Sequence, residues 1–441
     1  MMDWRIVGCA LASVLAASAS IAHAQVAGYQ VPGEQAASFT SPALARSGLF
    51  TREGEVGVLQ RQRPEYAPPS IRLGSFDLQP SVTGTVLYDD NIFARPAQAS
   101  DAIFKLRPEF LLESDTSGPY LSLFGRAADS FYLDHSDEGT IDYAIGTNDR
   151  MEVARALGVG FGASYERDTE PRTSPSSPIN AAEPVRFNVA KAYVGGVRQF
   201  NRVRLSLSAN VRDFSYDDVA AIGGGSIVER DRSHLESSVD AKAEYAVTPA
   251  ASLFVEAIGD RRDFRDELPG APKRDSNGYD LTVGSDFEVT RLVRGEFQLG
   301  YLNQRYDDSR FPTVSGLSVR GYVQYFPVSV LTLGVYGSRS VQDAEVAGSS
   351  GYLQSVAKVQ ADYEFLRQLI LSGQVQYEND DFRGVDRSDD LLSESLSAQY
   401  LINRSVGIVL AYSHVRQRSS GALRGVDYDD NRLSTSLIYK F

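Results

Sequence analysis

Cysteine and tryptophan are almost missing from this 441-residue chain, which holds one Cys, at position 9, and one Trp, at position 4. With no second thiol, an intrachain disulfide, a Cys-ligated zinc site and an iron-sulfur cluster are all excluded. Long apolar runs are scarce too. Beyond the first 24 residues nothing approaches the ~20 apolar residues that a membrane helix needs, which excludes a polytopic helical membrane protein. Positive charge is in deficit, with Lys+Arg 44 against Asp+Glu 57 and a net charge of -13. No basic run is present to follow a phosphate backbone, so nucleic acid is not an expected partner. What is plentiful is Tyr (23), Phe (21) and Gly (37), the composition of a sheet whose aromatics meet an interface.

Residues 1–24 have the form of an export signal. Arg5 lies in a short first region, residues 6–17 are mostly apolar, and small residues lead to Ala22-His23-Ala24 before Gln25. That ending fits signal peptidase and predicts a mature start at Gln25, which would remove Cys9 and Trp4. The apolar stretch is too short to span a membrane, and most of it follows Cys9, which argues against lipidation. Residues 25–75 keep no sustained period of 2 or 3.6, and carry a basic, proline-containing piece from Arg61 to Pro69. They are expected to form a flexible periplasmic extension, with a docking or plugging segment as the alternative.

From Phe76 to the end the pattern is period 2. Over 351–365, Leu353, Ala357, Val359, Ala361, Tyr363 and Phe365 share one face while Gln354, Lys358, Gln360, Asp362 and Glu364 share the other. Over 279–289, Leu281, Val283, Phe287 and Val289 oppose Asp280, Thr282, Asp286 and Glu288. Such strands fit either a soluble sandwich, whose apolar face needs a second sheet, or an outer-membrane barrel, whose apolar face meets lipid.

The connections separate the two. Short ones at 116–119, 154–157, 201–202, 247–250, 290–292, 327–330, 366–369 and 403–405 alternate with longer polar ones at 89–101, 135–140, 168–184, 217–231, 264–276, 307–316, 342–350, 382–389 and 418–429. This is an up-and-down barrel with short periplasmic turns and longer external loops. The expected fold is a closed antiparallel transmembrane β-barrel over 76–441, of about 18 strands with 16 as the alternative count. Aromatics gather at both strand ends, Phe110, Phe200, Tyr245, Phe287, Tyr325, Tyr363, Tyr400 and Tyr439 at one, Tyr88, Phe131, Tyr165, Tyr216, Phe264, Tyr306, Tyr377 and Tyr412 at the other. Two belts match the two interfaces of a membrane. The last strand alternates to a terminal Phe, so Tyr439 and Phe441 are expected on the lipid face as an assembly signal read by the barrel-assembly machinery.

Several segments carry a family resemblance: Arg63-Pro64-Glu65-Tyr66, 71–76, Pro80-Ser81, Tyr88-Asp89-Asp90-Asn91-Ile92-Phe93-Ala94, 111–115, Gln199-Phe200-Asn201-Arg202, Tyr377-Glu378-Asn379-Asp380-Asp381-Phe382 and Tyr400-Leu401-Ile402-Asn403-Arg404. Over nearly the whole chain after the signal it resembles the Putative beta-barrel porin 2 family of Gram-negative outer-membrane proteins. The resemblance implies an outer-membrane barrel associated with capsule or exopolysaccharide secretion, a periplasmic polysaccharide export protein and a glycan polymer as partners, no catalytic residue and no cofactor. Ser436 stands where the barrel-assembly signal usually has Gly.

Two groups of charges are candidate functional residues. Asp89, Asp90, Asp217, Asp218, Asp307, Asp308, Asp380, Asp381, Asp429 and Asp430 fall at external strand ends. They are read either as a rim that binds divalent cations shared with lipopolysaccharide or repels anions, or as turn-forming Asp beside a girdle Tyr. Glu236, Asp240, Lys242, Glu244, Asp280, Asp286, Glu288, Lys358, Asp362 and Glu364 are placed in the lumen by parity, where their net negative field would favour cations and neutral sugars. His135 with Asp134 and Asp137, or His414 with Ser413, could be drawn as hydrolase groups, and His234 sits on the lumen face; polar rim residues are the simpler reading. The preferred function is a polysaccharide secretion pore, then a diffusion porin, then a surface hydrolase.

Overall fold

The computed structural model describes residues 56–115, 118–266, 273–344, 346 and 348–441. The expected signal at 1–24 and residues 25–55 lie outside the described residues. Eighteen antiparallel strands close into one barrel. In chain order they are β1 (Phe76–Asp89), β2 (Asp101–Ser114), β3 (Ser122–Tyr132), β4 (Thr140–Ala154), β5 (Leu157–Thr169) and β6 (Arg186–Phe200). Then follow β7 (Val203–Tyr216), β8 (His234–Thr248), β9 (Ala251–Phe264), β10 (Ser276–Thr290), β11 (Val293–Tyr306) and β12 (Val314–Val328). The last are β13 (Leu331–Gln342), β14 (Gly351–Leu366), β15 (Leu369–Arg383), β16 (Ser388–Leu401), β17 (Val406–Ser420) and β18 (Tyr428–Lys440). Each pairs with its chain neighbour, and β18 closes on β1 from Ser81↔Lys440 to Asp89↔Arg432. The count is 18, and the alternative of 16 falls away.

Strands of 11 to 16 residues are long enough to cross a bilayer at the usual tilt. Their period-2 pattern decides the faces. Leu205, Leu207, Leu253, Val255, Leu281, Val283, Val335 and Val359 are each more than two-fifths exposed, and all point away from the barrel axis. A soluble protein would bury so wide an apolar band; around a barrel it meets lipid. Buried apolar clusters are small and lie under the external loops, such as Leu87 with Ile92 and Ile103, or Ala181 with Val185 and Val219.

The short turns use a recurring device. Thr248 Oγ1 accepts the Ala250 N–H and Thr290 Oγ1 accepts the Leu292 N–H, both at 3.1 Å, and a register shift precedes each turn. The hydroxyl satisfies a turn amide locally, and the bulge adds the twist a tight return needs. At 201–202 the turn residue Asn201 has φ 51, a conformation Asn tolerates better than most residues.

The belt nearest the short turns is outward as expected, with Phe200, Tyr245, Tyr325, Tyr363, Tyr400 and Tyr439 exposed. The opposite belt needs correction. Tyr88, Phe131, Tyr165, Tyr377 and Tyr412 are exposed, but Phe264 and Tyr306 are buried, and Tyr216 packs under Arg232 and against Phe187. These three occupy inward positions on their strands. Parity, and the long loops folding over those ends, outweigh nearness to the interface.

Candidate functional site: the lumen and its two mouths

Every charge assigned to the lumen from the sequence lies on the inner face. Glu236 pairs with Arg212 and, at 3.5 Å, with Arg262; Glu244 pairs with Arg204 and accepts the Ser252 hydroxyl. Lys242 Nζ reaches Glu296 at 3.3 Å and sits 3.6 Å over the Phe254 ring. Asp280 accepts the Ser318 hydroxyl at 2.9 Å and lies 3.5 Å from Arg320. Asp362 accepts the Ser372 hydroxyl at 2.7 Å and the Gln360 amide. Asp240 is buried, and Asp286 and Glu288 lie lower on the same wall. The sequence reading set only Lys242 and Lys358 against these acids. Arg204, Arg212, Arg262, Arg294 and Arg320 share their face, so the offset is larger than expected. All five were legible by parity.

These charges are not spread evenly around the barrel. They concentrate on β2 to β14, while the middle of the wall from β15 through β18 onto β1 presents hydroxyls and amides. Ser372, Gln374, Ser393, Ser397 and Gln399 are partly exposed there, beside buried Gln376, Ser395, Ser413, Ser434, Ser436, Thr83 and Thr85. Thr85 and Ser436 share a 2.8 Å hydrogen bond across the closing seam.

The mouth on the short-turn side holds a feature that fits the alternative of a docking segment rather than a flexible extension. Residues 57–66 form a strap docked on the inner wall of β11 to β14. The Val58 N–H donates to Thr332 Oγ1 at 2.9 Å, and Val58 itself is fully buried. Arg61 and Arg63 converge on Glu364 Oε2 at 2.9 and 3.0 Å, and Arg294 donates to Gln60 at 3.0 Å. Farther along, Glu65 accepts from Arg367 at 2.6 Å. Burial, opposed by Glu364, lowers the Arg63 guanidinium from its ordinary value. The Glu65 carboxyl sits below the usual carboxylate range, held by its backbone hydrogen bond and by Arg367. The signal for this strap was the basic pair Arg61 and Arg63 in an otherwise acidic chain; its partner could not be read from sequence.

At the external mouth the ten aspartates do not form an open ring of uncompensated charge. Asp217 pairs with Arg167 at 2.9 Å, Asp218 with Arg230 at 2.8 Å, Asp307 with Arg261 at 2.9 Å and Asp308 with Arg310 at 2.6 Å. Asp381 pairs with Arg383 at 2.8 Å, and Asp429 with Arg416 and Arg418, each at 2.8 Å. Asp308 is held below the ordinary carboxylate range by its Arg310 hydrogen bonds; in Asp218, burial pushes upward but the amides of Glu229 and Arg230 outweigh it. Asp380 is buried. Only Asp89, Asp90 and Asp430 converge, within 4.8 Å of one another, and Arg432 bridges Asp89 at 2.9 Å and Asp430 at 2.7 Å. An arginine already supplies the positive charge that a metal would bring there. The loops are tied in the same way, Arg232 making a bidentate pair with Glu170 at 2.8 and 2.9 Å.

The histidines do not assemble the hydrolase groups drawn from sequence. His135 Nδ1 lies 3.0 Å from Asp101, not paired with Asp134 or Asp137. His414 and Ser413 occupy adjacent positions on one strand and so face opposite sides of the wall. His234 is stacked between Phe214 and Phe264, with 4.7 Å between ring centroids on each side.

The Putative beta-barrel porin 2 family matches residues 63–441, from inside the strap to the last residue. The chain belongs to this family. Its barrel is an outer-membrane, porin-like pore. A search of curated proteins finds no match. Among solved structures, the outer membrane protein opdK from Pseudomonas aeruginosa is 13% identical, with TM-score 0.44, covering 83% of this chain and 99% of that one. OccK2 (OpdF) from the same organism is 10% identical, with TM-score 0.46, covering 82% and 98%. The ferric enterobactin receptor PfeA, also from Pseudomonas aeruginosa, is 8% identical, with TM-score 0.46, covering 82% and 80%.

Proposed function

We propose that this member of the Putative beta-barrel porin 2 family is an exit pore for an extracellular polysaccharide. The observation that carries the reading is the uncharged stretch of the inner wall on β15 and β16, where Ser372, Gln374, Ser393, Ser397 and Gln399 are partly exposed to the lumen. Hydroxyls and amides both donate and accept, so they can trade hydrogen bonds with sugar hydroxyls without fixing a charge on a moving chain. Barrels of 16 to 18 strands enclose a channel rather than a packed core, which leaves room for such a chain. In this reading a periplasmic polysaccharide export protein delivers the glycan to the mouth that carries the strap, and outer-membrane lipid and lipopolysaccharide surround the apolar band.

A second reading, a diffusion porin for small solutes, is favoured by the strap, because residues 57–66 dock on the inner wall at one mouth and would narrow it. Proteoliposomes separate the two. An exit pore should release linear oligosaccharides once residues 57–66 are deleted, whereas a diffusion pore keeps a sharp size limit in both forms. In the native host, loss of the gene should leave polymer trapped in the periplasm; unchanged surface polysaccharide would overturn the preferred reading.

A further inference from the structure

Midway up the lumen, one inward position departs from its neighbours. Most inward side chains of β8 to β14 are buried or half-buried by the ion-pair network, but Tyr322 on β12 is 38% exposed. Its parity is inward, since Leu317 and Tyr325 on the same strand face lipid, and its register partner is Tyr336 on β13. The two rings lie 6.4 Å apart with 24° between their planes, an aromatic pair on the wall.

The wall is shaped to hold it. A Cβ at Gly334, two residues from Tyr336 on the same face, would meet that ring at 2.8 Å and push it from this position, so the glycine lets Tyr336 lie against its own strand. Lys358 Nζ rests 4.8 Å from the Tyr336 ring centroid on the far side. Gln324 and Gln360 are inward on β12 and β14, flanking Gly334; Gln324 Oε1 accepts from Arg294 at 3.0 Å and the Gln360 Nε2 donates to Asp362, which leaves the Gln324 N–H groups and the Gln360 carbonyl for a ligand. The strap docks below it, at Arg294 and Thr332.

Tyr322 packs against Tyr336 and still leaves 38% of its surface open, so part of an aromatic ring in the lumen wall is available to a ligand. A pyranose has a face of C–H bonds and a rim of hydroxyls. It matches an aromatic ring bordered by amide groups, because the C–H face covers the open part of the ring while the Gln324 N–H and the Gln360 carbonyl take hydroxyls. We infer that Tyr322 and Tyr336 form a stacking site for a neutral hexose unit of a glycan inside the lumen, just above the strap. This rests on the polysaccharide reading and adds to it the place where the chain is gripped.

The test uses the purified full barrel in a planar bilayer with maltohexaose as the probe. Wild type should show transient current blocks. Tyr322→Ala should shorten them about tenfold, the loss of one aromatic contact, at unchanged heat-modifiable mobility and little-changed open conductance. Tyr322→Phe should keep the blocks, because the ring and not the hydroxyl makes the surface. If Tyr322→Ala fails to assemble, Tyr322→Trp serves instead: Trp4 is the sole natural tryptophan, and the new indole should shift its emission as maltohexaose saturates the blocks. Blocks of equal length in wild type and Tyr322→Ala, or no emission shift in Tyr322→Trp, would overturn the stacking site alone. A wild-type channel that conducts yet is never blocked by any oligosaccharide, with or without the strap, would overturn the polysaccharide reading as well.

Discussion

Replacing Glu364 with Gln tests the strap directly. Glu364 receives Arg61 at 2.9 Å and Arg63 at 3.0 Å through one carboxylate oxygen, and Arg367 at 3.4 Å through the other. Its side chain is only 7% exposed. Gln fills the same space but removes the charge, leaving two guanidinium groups against a neutral amide. Removing one partner of a buried ion pair costs about 3 kcal/mol or more. Because Gln can still accept one hydrogen bond, about 3 kcal/mol is the working value, and the docked-to-undocked ratio of the strap should fall about a hundredfold. Single-channel recording reads this as frequent steps from the resting conductance to a higher level. Deleting 57–66 should hold the channel at that higher level, and a disulfide between Val58→Cys and Thr332→Cys should hold it at the lower one. If E364Q and the deletion both conduct as wild type, the strap does not narrow the mouth and the argument fails.

Lowering the pH on the periplasmic side should loosen the outer end of the strap. The folded Glu65 carboxyl sits below its ordinary value, so the Arg367 contact is present above the ordinary carboxylate range and is lost as pH falls through it, below about pH 4; protease nicking of residues 57–66 should rise there and not at neutral pH. A tag after Ser177, in the long connection between β5 and β6, should be labelled on intact cells, and one at Pro249, in the short turn after β8, should not; labelling at Pro249 would reverse the orientation. The open channel should prefer cations at low salt, but modestly, given the arginines among the lumen acids; anion preference would contradict the field. Deleting Phe441 should reduce the amount of barrel in the membrane far more than changing Lys440, since Tyr439 and Phe441 are exposed outward with ring centroids 4.8 Å apart while Lys440 shares the inward face of Ser434 and Ser436; equal losses in fractionated membranes would remove the special role of the last residue.

The sequence by itself determined the barrel, a strand count of about 18 with 16 left open, and the face on which the lumen charges stand. These follow from local rules: period-2 alternation fixes the face, and the length and polarity of each connection fix the end. That is why Glu236, Lys242, Asp280 and Glu364 were placed in the lumen with no contact known. It is also why Tyr439 and Phe441 fell on the lipid side. Only the tertiary structure decided what those side chains meet. Arg63 and Glu364 are 301 residues apart, and nothing local says that the strap returns to β14. The same limit governs part of the rim: Arg167 reaches Asp217 from β5 and Arg432 reaches Asp89 from β18, whereas Arg310, Arg383 and Arg432 stand only two residues from Asp308, Asp381 and Asp430. Phe264 and Tyr306 were misplaced because an aromatic near a strand end reads as a girdle residue until the loop that covers it is seen. Closing the barrel brings distant strands and loops onto one interior surface, and the pairings made across that surface depend on three-dimensional distance, which no sequence period encodes.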